Sequence, residues 1–149
     1  MKTKIYLAGP WFTEKADILE KYAYSMYEAT NCEDKIEVFR PRTDGKDTPF
    51  ETFMGNLEAI DNAHIVIAQV SEKDVGTAFE IGYARAKGKD IILVGFDEKD
   101  FAKKTNLMLA FAGDQCITID KLWKIFSGTI DYCDDTVKTD KFDEWRNIE

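Results

Sequence analysis

A chain of 149 residues, 44% hydrophobic and 32% charged, has the size and balance of one globular domain around a single core. Its formal net charge of −8 leaves no phosphate-neutralising surface, and no apolar run approaches the ~20 residues needed to span a bilayer. Neither a nucleic acid nor a membrane is therefore expected as a partner. Cys32, Cys116 and Cys133 are widely spaced and form no CxxC pair, and His64 is the one histidine. A disulfide framework and a zinc site are both disfavoured, and no metal or cofactor is expected. The start, Met1-Lys2-Thr3-Lys4, leads straight into a strand-like run without the pattern of a signal peptide, so the expectation is a cytoplasmic protein with reduced thiols. Carboxylates must carry any acid–base chemistry.

Taken in chain order, Lys4-Ile5-Tyr6-Leu7-Ala8 reads as a buried strand stopped by Gly9-Pro10. Phe12, Ala16, Leu19, Ala23, Met26 and Thr30 recur at spacings of four and three and predict an amphipathic helix capped near Thr13. Ile36-Glu37-Val38-Phe39 predicts a second strand, followed by a polar loop from Arg40 to Asp47. Thr48-Pro49-Phe50-Glu51 combines a cap, a proline at the first helical position and a capping box. The helix it opens presents Phe50, Phe53, Met54, Leu57 and Ile60 as its apolar face. Ile65 to Val70 is apolar on both faces, as a central parallel strand is. A helix from Thr77 to Lys87, ended by Gly88, precedes a fourth strand, Ile91 to Val94. Asn106 to Phe111 predicts a helix, Gln115 to Ile119 a short fifth strand, and Lys121 to Phe126 a last helix.

Strands alternating with helices predict an α/β fold in which helices cover both faces of a parallel sheet. For five strands the expected form is a single-domain, flavodoxin-like three-layer sandwich with strand order 2-1-3-4-5. One domain fills residues 1–149. Its tail, 129–149, carries seven acidic and three basic residues, about half of the net charge.

In such sheets ligands bind beyond the carboxyl ends of the strands, where the order reverses between strands 1 and 3. Tyr6 to Phe12 and Ser71 to Glu80 therefore face one crevice. Neither GxGxxG nor GxxxxGK[ST] occurs, which removes the dinucleotide and P-loop readings. Within Asp74-Val75-Gly76-Thr77-Ala78-Phe79-Glu80-Ile81-Gly82-Tyr83-Ala84 two readings compete. In one, Thr77-x-x-Glu80 is a capping box and Glu80 satisfies a backbone donor. In the other, the helix dipole keeps Glu80 ionised to attack an anomeric carbon, with Asp74 a second carboxylate on the same rim.

Lys4-Ile5-Tyr6-Leu7-Ala8-Gly9-Pro10-Trp11-Phe12, Asp74 to Ala84 and Asn106-Leu107-Met108 together resemble the nucleoside 2-deoxyribosyltransferase family, in order and in spacing, over Lys4 to about Ile119. The resemblance implies exchange of the nucleobase of 2′-deoxynucleosides, with retention, through a glycosyl-enzyme. Glu80 is then the nucleophile, Tyr6 the hydroxyl that positions it, and Asp74 a pocket acid. Gly9, Trp11, Phe12 and Gly76 line the substrate crevice. Asn56 falls near a position where some members carry an aspartate that contacts the base. Asn106 and Met108 reach into a neighbouring subunit's site, which implies a homo-oligomer, dimeric or hexameric. The partners implied are 2′-deoxynucleosides and free nucleobases. A 2-deoxy sugar lacks an electron-withdrawing hydroxyl, so its oxocarbenium-like transition state forms readily and a carboxylate below the ring stabilises it.

Two other readings remain. A deoxynucleoside 5′-monophosphate N-glycosidase on the same fold would send water to the intermediate and would need phosphate-binding groups, for which Arg40 and Arg42 are the candidates. A non-catalytic nucleoside-binding module would use Glu80 only as a cap.

Overall fold

The structure is a computed structural model, and the residues described are 2–10, 14, 17, 21, 35–41, 44–96 and 106–119. Five strands and three helices fall within them: β1 (Thr3–Ala8), β2 (Ile36–Phe39), α1 (Pro49–Asn62), β3 (Ile65–Gln69), α2 (Val75–Ala86), β4 (Asp90–Gly95), α3 (Leu107–Ala112) and β5 (Gln115–Thr118). The strands form one sheet in the order β2-β1-β3-β4-β5, and every pairing is parallel. This is the order expected from the sequence. The chain leaves β1 first toward β2 and later resumes on β1's other side with β3, which puts the topological switch point at the ends of Ala8 and Gln69.

Register decides which side chains share a face. Tyr6 pairs with Val66 and Ala8 with Ala68, while Val66 meets Ile91 and Ala68 meets Leu93. These residues build one buried cluster with Ile60 of α1 and its C-cap residue Ala63, Ile81 and Ala84 of α2, and Cys116 of β5. The alternate residues Ile5, Leu7, Ile65, Ile67, Ile92 and Ile117 face the other way and are just as buried. A sheet dry on both faces must be covered on both, as a parallel sheet requires. Glu14, Asp17 and Lys21, in the segment between β1 and β2, are helical.

Local chemistry sets the helix ends. Thr48 caps α1: its Oγ1 accepts the Glu51 N–H at 3.2 Å and donates to Glu51 Oε2 at 3.0 Å, with Pro49 at the helix start. At the far end of α2, Gly88 takes φ of 70°, a left-handed conformation that a side chain would strain, and the chain turns into β4. Gly113 is required for another reason. A Cβ there would lie 2.5 Å from Leu93 Cγ, so only glycine lets α3 run into β5 against β4.

One expectation is corrected. The proposed apolar face of α1 is not a core face: Phe50 is 71% exposed, and Phe53 and Met54 are about half exposed. Ile60 and the C-cap residue Ala63, three apart, turn to the sheet instead, and of the predicted set only Ile60 is fully buried. The helix predicted over 12–30, the last helix at 121–126 and the acidic tail lie outside the described residues, apart from the three helical positions named above.

Candidate active site

The site is built where α2 begins, just past the carboxyl end of β3. Asp74 is the N-cap of α2: its Oδ2 accepts the Thr77 N–H at 2.7 Å and the Thr77 hydroxyl at 2.8 Å. The helix therefore starts at Val75, two residues before the predicted start, because an aspartate three residues ahead of Thr77 satisfies the free N–H groups. This overturns the capping-box reading of Glu80. Glu80 is the sixth residue of α2, beyond the first turn, and caps nothing.

Its carboxylate turns to the sheet instead. The Tyr6 hydroxyl, carried on β1 and buried, donates to Glu80 Oε1 at 3.1 Å across 74 residues of sequence. Burial, with the charge of Glu80 beside it, pushes the Tyr6 pKa up, so the phenol stays protonated and acts as a donor. Glu80 departs from expectation in the opposite sense to a helix-dipole effect. Burial raises its pKa from 4.5 to about 7, and the Asp74 charge adds to the rise, although the Tyr6 hydrogen bond pulls it down. Desolvation outweighs the hydrogen bond from Tyr6. A buried carboxyl on the first turns of a helix, with a pKa raised to about 7, has the perturbed acidity from which functional carboxylates are drawn.

Glu80 Oε2 is shielded from solvent and has no hydrogen-bond partner. Asn56 Oδ1, on α1, is in the same condition, as are Ser71 Oγ, just past β3, and both amide atoms of Gln69 at the end of β3. A buried polar atom without a partner costs roughly 1–3 kcal/mol, so each of these groups is open to a further hydrogen-bond partner. The free Oε2 lone pairs are available for attack on carbon while Oε1 is held by Tyr6. That division is what a carboxylate nucleophile needs.

The remaining predicted residues fall as follows. Gly9 is buried in the bend after β1. Gly76 is in the first turn of α2, where a Cβ would come within 3.2 Å of the capping Asp74 Oδ2. Asn106 caps α3, its Oδ1 accepting the Met108 N–H at 2.9 Å, and Met108 is 73% exposed. Trp11, Phe12 and Arg42 lie outside the described residues. Sequence reasoning missed Phe39, whose ring stacks on Tyr6 with centroids 5.5 Å apart and planes 11° from parallel. The signal was the strand register, which pairs Tyr6 with Phe39. His64 has no place in the site: its Nδ1 accepts the Lys4 N–H at 2.8 Å, at the opposite end of the sheet.

A cavity of about 700 Å³ lies between α1, the loop at Gly45 to Asp47 and Tyr83, and contains none of these residues. The acidic side chains that line it, Asp47, Glu51, Glu58 and Asp61, are all exposed. Among the described residues no group of three His, Cys, Asp or Glu side chains is placed to hold a metal ion, and no helix is long and apolar enough to cross a membrane.

A parallel α/β sheet with a buried, tyrosine-held carboxylate beside its switch point is the framework of a glycosyl-transferring enzyme. The family model for nucleoside 2-deoxyribosyltransferase matches residues 5–110, and the chain belongs to that family. It is 28% identical over 138 residues to the nucleoside deoxyribosyltransferase of Lactobacillus leichmannii, spanning 81% of this chain and 87% of that one. It is 24% identical over 145 residues to a Thermofilum pendens protein named "Putative 2′-deoxynucleoside 5′-phosphate N-hydrolase 1", spanning 86% of this chain and 98% of that one. The solved 2-deoxyribosyltransferase of Bacillus psychrosaccharolyticus superposes with a TM-score of 0.65 at 24% identity, covering 91% of this chain and 96% of that one, and so shares the fold.

Proposed function

We propose that this protein exchanges the nucleobase of 2′-deoxynucleosides by way of a covalent 2-deoxyribosyl intermediate on Glu80. The observation that carries the reading is the Tyr6–Glu80 pair: Oε1 held by a buried phenol, Oε2 shielded and without a partner. In the first half-reaction Oε2 forms a bond to the anomeric carbon as the bond to the base nitrogen breaks. That electron pair leaves with the base, which takes up a proton. In the second half-reaction a different base gives up its N–H proton and attacks the same carbon from the face the first one left, and the Glu80 carboxylate is released. Two inversions give overall retention. Asp74 stands beside the nucleophile as the second acidic group. Asn56, with its free Oδ1, supplies the base contact, and Gly9, Trp11, Phe12 and Gly76 shape the crevice.

The site is shared between copies of the chain in this reading. Val75, Phe79, Leu107, Met108 and Phe111 are all at least half exposed, on the two helices that flank the site. A lone domain gains nothing by leaving them wet. A second copy that covers them brings Asn106 and Met108 to its partner's crevice, in a dimer or a hexamer. The working unit is then a cytoplasmic homo-oligomer, each chain forming one domain with its acidic tail.

Hydrolysis of a 2′-deoxynucleoside 5′-phosphate is the second reading, favoured by the likeness to the Thermofilum pendens protein. One incubation separates the two. Deoxyinosine with a free second base, followed by chromatography, is expected to give the exchanged deoxynucleoside, with slow hydrolysis when the base is omitted. Turnover confined to the 5′-monophosphate, with water as acceptor, would replace the transferase reading by the hydrolase one.

A further inference from the structure

We infer that Phe39 is a positioning residue for the nucleophile, acting through Tyr6: its ring fixes the plane of the Tyr6 ring and thereby keeps the hydroxyl on Glu80. The inference rests on the reading of Glu80 as the nucleophile. Three observations carry it. Tyr6 and Phe39 are register partners on adjacent parallel strands, so both side chains rise from the same face of the sheet. Their rings lie 5.5 Å apart and within 11° of parallel. Tyr6 reaches Glu80 through one hydrogen bond at the tip of its side chain, 3.1 Å long.

Tyrosine places its hydroxyl by two torsions. The strand backbone and buried neighbours restrict the first, but ring rotation about the second is broad unless a flat neighbour limits it. A parallel ring on one side is such a neighbour. Phe39 is half-buried and packs on the edge of the main core cluster, so its loss leaves the sheet's central strands intact. Among the described residues, Tyr6 from β1 and Asp74 from the start of α2 are the ionisable groups acting on Glu80, and Phe39 changes neither charge. Its contact with the site is the Tyr6 ring, and the route from Phe39 to Glu80 runs through the Tyr6 hydroxyl.

The test is a double-mutant cycle with Phe39→Leu and Tyr6→Phe, read without substrate by carbon NMR of the carboxyl groups in glutamate-labelled protein. Removing a hydrogen bond that favours the charged form raises the Glu80 midpoint above its value of about 7. Tyr6→Phe is expected to raise it by roughly one pH unit, and Phe39→Leu by a smaller step in the same direction. In the Tyr6→Phe background Phe39→Leu should add nothing. Phe39→Trp keeps a flat ring and should restore most of the wild-type midpoint, which separates the stacking role from general loss of packing. Additive shifts, an unmoved midpoint in Phe39→Leu, or failure of Phe39→Trp to recover it would overturn the inference. Turnover with the same variants gives the second readout: a loss in kcat that disappears in the Tyr6→Phe background supports positioning, whereas a change confined to KM for the base would mean that Phe39 binds substrate. If Glu80→Gln retains wild-type turnover while the NMR cycle behaves as expected, the nucleophile reading fails and the ring contact stands.

Discussion

In the proposed reaction a single carboxyl group concentrates the chemistry. Glu80 must be ionised to attack, yet burial holds its pKa near 7, so kcat/KM is expected to rise tenfold per pH unit below that value and to level off above it. Glu80→Gln should lower transfer by at least ~10³-fold with the fold retained, since it removes the nucleophile and keeps the shape. The same burial has a consequence for stability. Because the folded pKa lies above the ordinary 4.5, the native state holds more protons than the unfolded chain between pH 4.5 and about 7. Stability is therefore lost as pH rises through that window, by at most roughly 3 kcal/mol. Glu80→Gln should remove this slope: denaturation at pH 5 and pH 8 is expected to show the variant gaining on the wild type at the higher pH. At this scale the sequence pointed to Glu80 and Tyr6 as a pair, but it misjudged the environment. Local spacing supplied the helix dipole and no measure of desolvation, which is set by tertiary burial.

The start of α2 couples structure to reactivity. Asp74 satisfies the first turn and also lays a negative charge near Glu80. Asp74→Asn keeps a competent cap and removes the charge, so the acid limb of the pH profile should move to lower pH with little change in melting temperature. Asp74→Ala loses the cap as well and should cost about 1 kcal/mol. At the other end of the sheet, Gly113→Ala forces a methyl group onto Leu93 and should destabilise by about 1–3 kcal/mol, read by chemical denaturation. The order of elements and the sheet topology were legible in the sequence, because apolar runs such as Ile65 to Ala68 and the punctuation at Gly88 are local. The rotation of α1 was not. Phe50, Phe53 and Met54 have helical spacing and look like a core stripe, yet which stripe meets the sheet is decided by Ile60 and Ala63 against Tyr6, Val66 and their neighbours.

For the whole molecule the open question is how many chains make a working site. The exposed apolar side chains on α1, α2 and α3 predict an oligomer at micromolar concentration by light scattering. Glu80→Ala and Asn106→Ala subunits, each inactive alone, should recover part of the activity when mixed, because hybrid interfaces then contain one intact site. A fully active monomer would end the shared-site reading and leave the chemistry at Glu80 untouched. That chemistry has its own direct measurement. A 2-fluoro-arabinosyl nucleoside carries an electron-withdrawing group that slows breakdown of a glycosyl-enzyme, so incubation followed by mass spectrometry should show one sugar adduct per chain, on the peptide that holds Glu80 and absent from Glu80→Gln. An adduct on another residue, or full base exchange by Glu80→Gln, would contradict a covalent intermediate on Glu80.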